Sequence, residues 1–63
     1  MRLTMGSNIL FFTPEEIAKK LRLNLLTIYK YIRDQKLAAI RFGRKYRIAK
    51  EDFEKFIASN KTL

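Results

Sequence analysis

Hydrophobic residues along this chain keep time with two periods, and the change between them divides the molecule. From Phe12 to Ile32 the apolar positions recur at helical spacing. Ile17, Ala18 and Leu21 make one stripe, with Lys19 and Lys20 on the opposite side. Leu25, Ile28, Tyr29 and Ile32 make a second, with Leu26, Thr27, Lys30, Arg33 and Asp34 facing away. After Leu37 the period becomes two: Ile40, Phe42, Tyr46 and Ile48 alternate with Arg41, Lys45 and Arg47, apart from an offset at Gly43-Arg44. Phe53, Phe56 and Ile57 restore helical spacing near the end. Met1 to Asn8 has no period.

Local signals set the boundaries. Thr13-Pro14-Glu15-Glu16 reads as a capping box with proline at the first helical position. Phe12 and Ile17 are spaced as a hydrophobic staple, so a first helix is predicted over about Pro14–Leu21. Asn24 is a second N-cap, with Leu23 and Ile28 spaced as its staple. Glu51, Asp52 and Glu54 suit the first turn of a last helix beginning near Lys50 or Glu51. The predicted order is helix, turn, helix, hairpin, helix: mostly α with a small β-hairpin, a winged helix-turn-helix. Residues 1–10 are expected to form a flexible tail, 11–59 the domain and 60–63 a C-terminal tail.

Within the hairpin two registers compete. A three-residue loop pairs Phe42 with Tyr46, Ile40 with Ile48 and Arg41 with Arg47, which puts apolar residues inward and arginines outward. A two-residue loop pairs Phe42 with Lys45 and mixes the faces. The cleaner segregation favours the first. The expected core is Phe12, Ile17, Leu21, Leu23, Ile28, Ile32, Leu37, Ile40, Phe42, Ile48, Phe53, Phe56 and Ile57.

Composition narrows the chemistry. With no Cys, His or Trp in 63 residues, zinc fingers, thiol nucleophiles and histidine-based catalysis are excluded. The acidic residues sit mostly at helix starts rather than as a catalytic pair, so no enzyme, metal or cofactor is expected. No apolar run approaches the length of a membrane span, and a cytoplasmic location is expected. The net charge of +8 is unevenly placed: Lys19 to Lys50 carries eleven basic residues against Asp34 alone, or +10, and the remainder carries −2. Such segregation is the footprint of a polyanion partner.

These residues closely resemble the small winged helix-turn-helix DNA-binding domains of the excisionase and MerR-like superfamily. The likeness runs over about Phe11 to Ala58. It is carried by Thr13-Pro14-Glu15-Glu16-Ile17-Ala18, Leu21, Thr27-Ile28-Tyr29, Ile32, Leu37, Ala39, Phe42-Gly43-Arg44 and Tyr46-Arg47-Ile48. The resemblance implies a second helix in the major groove and a wing on the backbone or minor groove of double-stranded DNA. The implied roles are recombination accessory factor of a mobile element or small transcriptional regulator, associated with the nucleoid. Arg22 and Gln35 depart from the pattern, standing where the family carries glycine; so do Leu25 and Leu26, where many relatives carry Arg or Lys.

The candidate DNA-binding residues are Leu26, Thr27, Tyr29, Lys30, Arg33, Arg41, Arg44, Lys45 and Arg47. Lys30 and Arg33 suit phosphate or guanine. Leu26 suits either a thymine methyl or packing on the hairpin or a neighbouring protomer. Thr27 suits either a phosphate or its own helix cap, and Tyr29 and Tyr46 either the core or a phosphate. One such unit reads a short half-site, so a site-specific recombinase, another protein or further copies side by side on DNA are expected partners. The rival is a protein-interaction module using Leu26 and Tyr31 as its contact patch.

Overall fold

The computed structural model describes residues 10–62. The tail expected over residues 1–10 therefore lies, except for Leu10, outside the described residues. Six elements follow in order: β1 (Phe11–Phe12), α1 (Pro14–Leu21), α2 (Leu25–Arg33), β2 (Ile40–Phe42), β3 (Lys45–Ala49) and α3 (Lys50–Ser59). Three helices pack on a three-stranded antiparallel sheet ordered β1-β3-β2. This is a winged helix-turn-helix, with one strand more than the pattern along the chain predicts.

Helix starts follow their side-chain chemistry. The Glu16 N–H donates to Thr13 Oγ1 at 3.0 Å, and the Thr13 N–H donates to Glu16 Oε1 at 2.8 Å, so the capping box is complete. The Leu26 N–H donates to Asn24 Oδ1 at 2.8 Å and fixes the start of α2. α3 starts after Ala49 with no side-chain cap, and Glu51 and Asp52 in its first turn offset the exposed N–H groups.

Both helices of the pair end the same way. Arg22 is left-handed (φ 56°, ψ 43°); its N–H donates to Lys19 O at 3.2 Å, and the Leu23 N–H donates to Ala18 O at 2.9 Å. Gln35 is left-handed (φ 62°), with Gln35 N–H to Ile32 O at 3.1 Å and Lys36 N–H to Tyr31 O at 2.8 Å. These are two Schellman closures, and glycine is the usual residue at their left-handed position. The chain thus keeps the backbone that glycine favours while placing Arg22 and Gln35 there, at a cost of roughly 1–2 kcal/mol each.

The core is one cluster drawn from every layer: Ile17 and Ala18 of α1, Ile28 of α2, Leu37 of the following loop, Ile48 of β3 and Phe56 of α3. Phe12, Leu21, Leu25, Tyr31, Ile32, Ala39 and Phe53 pack around it, half-buried. Phe12 meets Phe53 edge-on, with ring centroids 5.5 Å apart. The Lys50 N–H donates to Leu10 O at 2.9 Å and ties the first strand to the start of α3.

Four residues expected in this core are exposed: Leu23, Ile40, Phe42 and Ile57. The hairpin explains two of them. Its register pairs Ile40 with Arg47, Arg41 with Tyr46 and Phe42 with Lys45, so the loop has two residues, not three. Gly43 has φ 63° while Arg44 has a negative φ, the pattern of a type II′ turn with glycine first. Turn geometry outweighs face segregation here. Ile40 and Phe42 consequently share the outer face with Lys45 and Arg47, whereas Arg41 falls on the Tyr46–Ile48 side. The expected pairing of Arg41 with Arg47 is overturned. Leu23 sits in the turn between helices, and Ile57 lies one flank away from the buried side of α3.

Candidate nucleic-acid interface

Two basic surfaces arise from the α1–α2 pair and the hairpin. On α2, Leu26, Lys30 and Arg33 fall at i, i+4 and i+7 and form one exposed ridge, because the opposite side is committed to Ile28 and the core. Arg33 Nε lies 3.7 Å from Asp34 Oδ1 in an open setting, the only ion pair among the described residues. An exposed pair of this kind contributes about 0–1 kcal/mol and leaves Arg33 able to exchange its partner. Lys30 pairs with no carboxylate among the described residues.

Thr27 is half-buried beside the ridge. Asn24 makes the side-chain cap of α2, so the Thr27 hydroxyl is not needed for that task. Leu26 is 73% exposed and stands outside the core cluster and the hydrophobic residues packed against it.

The hairpin supplies the second surface. Arg41, Arg44 and Lys45 are exposed and Arg47 is half-buried, none paired with a carboxylate among the described residues. Arg41 Nε donates to Gly43 O at 2.8 Å and Arg47 Nη1 donates to Tyr46 O at 2.8 Å. Each guanidinium is thereby oriented by the backbone while its charge stays uncompensated, the condition for meeting an oxyanion with little further ordering.

Between the two surfaces lies a cleft of about 230 Å³, lined by Thr13, Pro14, Glu15, Tyr29, Arg44, Lys45, Tyr46 and Arg47. It joins the start of α1, the middle of α2 and the hairpin. Tyr29 and Tyr46 lie with ring centroids 6.1 Å apart, tilted at 56°. Tyr46 was assigned no site role from the sequence beyond the choice between core and phosphate. Its place beside Tyr29 follows from strand alternation, since Tyr46 lies two residues before buried Ile48 and so points to the same side of β3. Of the nine candidates, the cleft gathers Tyr29, Arg44, Lys45 and Arg47; Leu26, Lys30 and Arg33 form the separate ridge with Thr27 half-buried beside it, and Arg41 folds back on the turn.

An apolar groove of about 420 Å³ shares no residue with that cleft. Leu21, Leu23, Tyr31, Phe56, Ile57, Asn60 and Lys61 line it, with Tyr31 and Phe56 in ring contact at 5.2 Å. Leu26 and Tyr31 are five residues apart on α2, about 140° around it. They do not form the single contact patch that the protein-interaction rival requires.

A helix pair joined by a tight turn, followed by a basic hairpin, defines a winged helix-turn-helix protein, a class built to dock on duplex DNA. The family model described as a helix-turn-helix domain matches residues 11–61. The chain belongs to this family of small, excisionase-like helix-turn-helix domains. It binds DNA through its helix-turn-helix, and the family is one of DNA-binding domains, generally not enzymes. No curated protein and no solved structure matches the chain at significance. No helix among the described residues is long and apolar enough to cross a membrane.

Proposed function

We propose that α2 enters the major groove of double-stranded DNA, with the hairpin resting on the sugar-phosphate backbone or in the adjacent minor groove. The observation that carries this reading is the set of cations on the α2 ridge and around the cleft, of which Arg33 alone has an acidic partner, the exposed Asp34, among the described residues. Lys30, Arg33, Arg41, Arg44, Lys45 and Arg47 would meet phosphates, with Tyr29 and Thr27 adding hydroxyl contacts. Docking is driven chiefly by charge, with few base contacts. The role is that of an excisionase-like recombination accessory factor or a small transcriptional regulator, acting beside a recombinase or further copies of the chain on the nucleoid in the cytoplasm.

Neutralising about six phosphates gives a slope near −5 for log K against log[salt]. A titration of duplex DNA by fluorescence anisotropy at several salt concentrations checks this. Substituting Lys30→Ala or Arg44→Ala should make the slope shallower by about 1 each. A flat salt response overturns the proposal.

The apolar groove favours one second reading, in which the same domain also holds a protein partner. Leu23→Ser with Ile57→Ser would then abolish activity in the cell while leaving DNA affinity unchanged.

A further inference from the structure

We infer that Leu26 is a specificity-determining residue that reads the 5-methyl group of a thymine in the major groove. This rests on the reading of α2 as the groove-entering helix.

Leu26 stands apart from the other exposed apolar side chains. Leu23 and Ile57 rim the apolar groove between the helix turn and α3. Phe11, Ile40 and Phe42 share the outer face of the sheet, opposite Ala49, Arg47 and Lys45 in register. Leu10 precedes β1, where its carbonyl accepts from the Lys50 N–H, and Leu26 belongs to none of these settings. It is the most exposed large apolar residue of the described chain at 73%, and it neither packs on the core nor lines the groove.

A protein-docking patch needs contiguous apolar area. A single leucine on a ridge continued by Lys30 and Arg33 does not provide it. The chemistry that fits is a small apolar group set within a polyanion. Duplex DNA offers one such group on its major-groove base edges, the thymine methyl.

Position supports the same assignment. Leu26 lies in the first turn of α2, and the N-terminal residues of a recognition helix are those that reach base edges. Its backbone is already held by the 2.8 Å bond from its N–H to Asn24 Oδ1. The side chain therefore arrives placed, and burying it against a methyl requires ordering little more than its own rotamer. Leucine has no donor or acceptor, so the contact distinguishes bases only through the methyl. Lys30, four residues on, lies about 6 Å further along the helix. That is within about two base-pair steps of 3.4 Å each, so the thymine should fall that close to the phosphate or base that Lys30 meets.

The test uses the full chain and a duplex recovered by selection from random sequence. Each thymine is replaced in turn by deoxyuridine, which keeps every hydrogen-bonding group and lacks only the methyl. Affinities of the wild type and of Leu26→Ala are measured by anisotropy at one salt concentration. For the wild type, deoxyuridine at the thymine read by Leu26 should weaken binding about fourfold, the equivalent of burying one methyl. Leu26→Ala should bind thymine and deoxyuridine equally at that position and keep the salt slope of the wild type. The inference is overturned if no thymine responds, or if the response persists in Leu26→Ala. In both of those cases salt-dependent binding leaves the DNA-docking reading standing; failure of the wild type to bind any duplex overturns both.

Discussion

The α1–α2 pair and the hairpin both face the proposed DNA surface, yet they are held in place by different means. Each helix of the pair is capped at its start by a side chain and closed at its end by a Schellman turn. Ile17 and Ile28 anchor the pair with no exposed surface at all. In the hairpin every residue of β2 is exposed, and β3 reaches the core through Ile48. Its shape depends on one turn and on guanidinium groups bonded to their own backbone. The difference teaches a division of labour. The element proposed to read bases is positioned by packing before docking, while the element proposed to meet phosphates is held by fewer buried contacts and can follow a backbone of varying shape.

Breaking the packed side of this comparison should have the largest effect. Ile28→Ala removes a fully buried side chain, which typically costs about 2–5 kcal/mol. At roughly 0.05–0.15 kcal/mol per residue a domain of this size has only about 3–9 kcal/mol in total. Thermal melting followed by circular dichroism should show most of the cooperative transition lost at room temperature. A fall of only a few degrees would mean that packing does not set the position of α2.

The turn comes next. A Cβ added at Gly43 meets nothing within 4 Å, but φ there is +63°. Gly43→Ala therefore carries only the strain of a positive φ at the first central position of a type II′ turn, about 1–3 kcal/mol. That cost should fall on the hairpin, giving faster amide exchange across residues 40–46 with exchange at Ile28 unchanged. Equal acceleration at both sites would show that the two regions are not energetically separate.

The smallest effect has the opposite sign. Arg22→Gly relieves the left-handed strain, offset in part by the greater entropy glycine brings to the unfolded chain. A net gain of about 0.5–1 kcal/mol is expected, read as a higher melting temperature. A loss would show that the Arg22 side chain stabilises the turn by more than the strain costs.

What could be read directly from the chain follows the same physical division. Thr13, Glu16 and Asn24 bond to backbone groups two or three residues away, so their pattern specifies both helix starts locally. Thr13 and Glu16 are also among the positions that carry the resemblance. The hairpin is different, since Phe42 and Ile40 satisfy apolar alternation in either register and only the backbone of Gly43 decides between them. β1 was illegible because Phe11 and Phe12 find their partners, Ala49 and Ile48, almost a whole domain later. The expected core was too large for a simple reason: a chain this short has too much surface for its volume to cover every apolar residue.

The distant pairing of β1 has a kinetic consequence. The α1–α2 and β2–β3 contacts join neighbours in sequence, whereas seating Phe12 against Ile48 and Phe53 closes a loop around nearly the entire domain. Loop-closure entropy places such a step late on the folding route. Phe12→Ala should then accelerate unfolding and leave the folding rate almost untouched, a low φ-value in a chevron experiment. A slowed folding limb would place β1 in the nucleus instead. The two-residue strand acts as a latch: it adds little to how fast the domain assembles and much to how long it stays assembled.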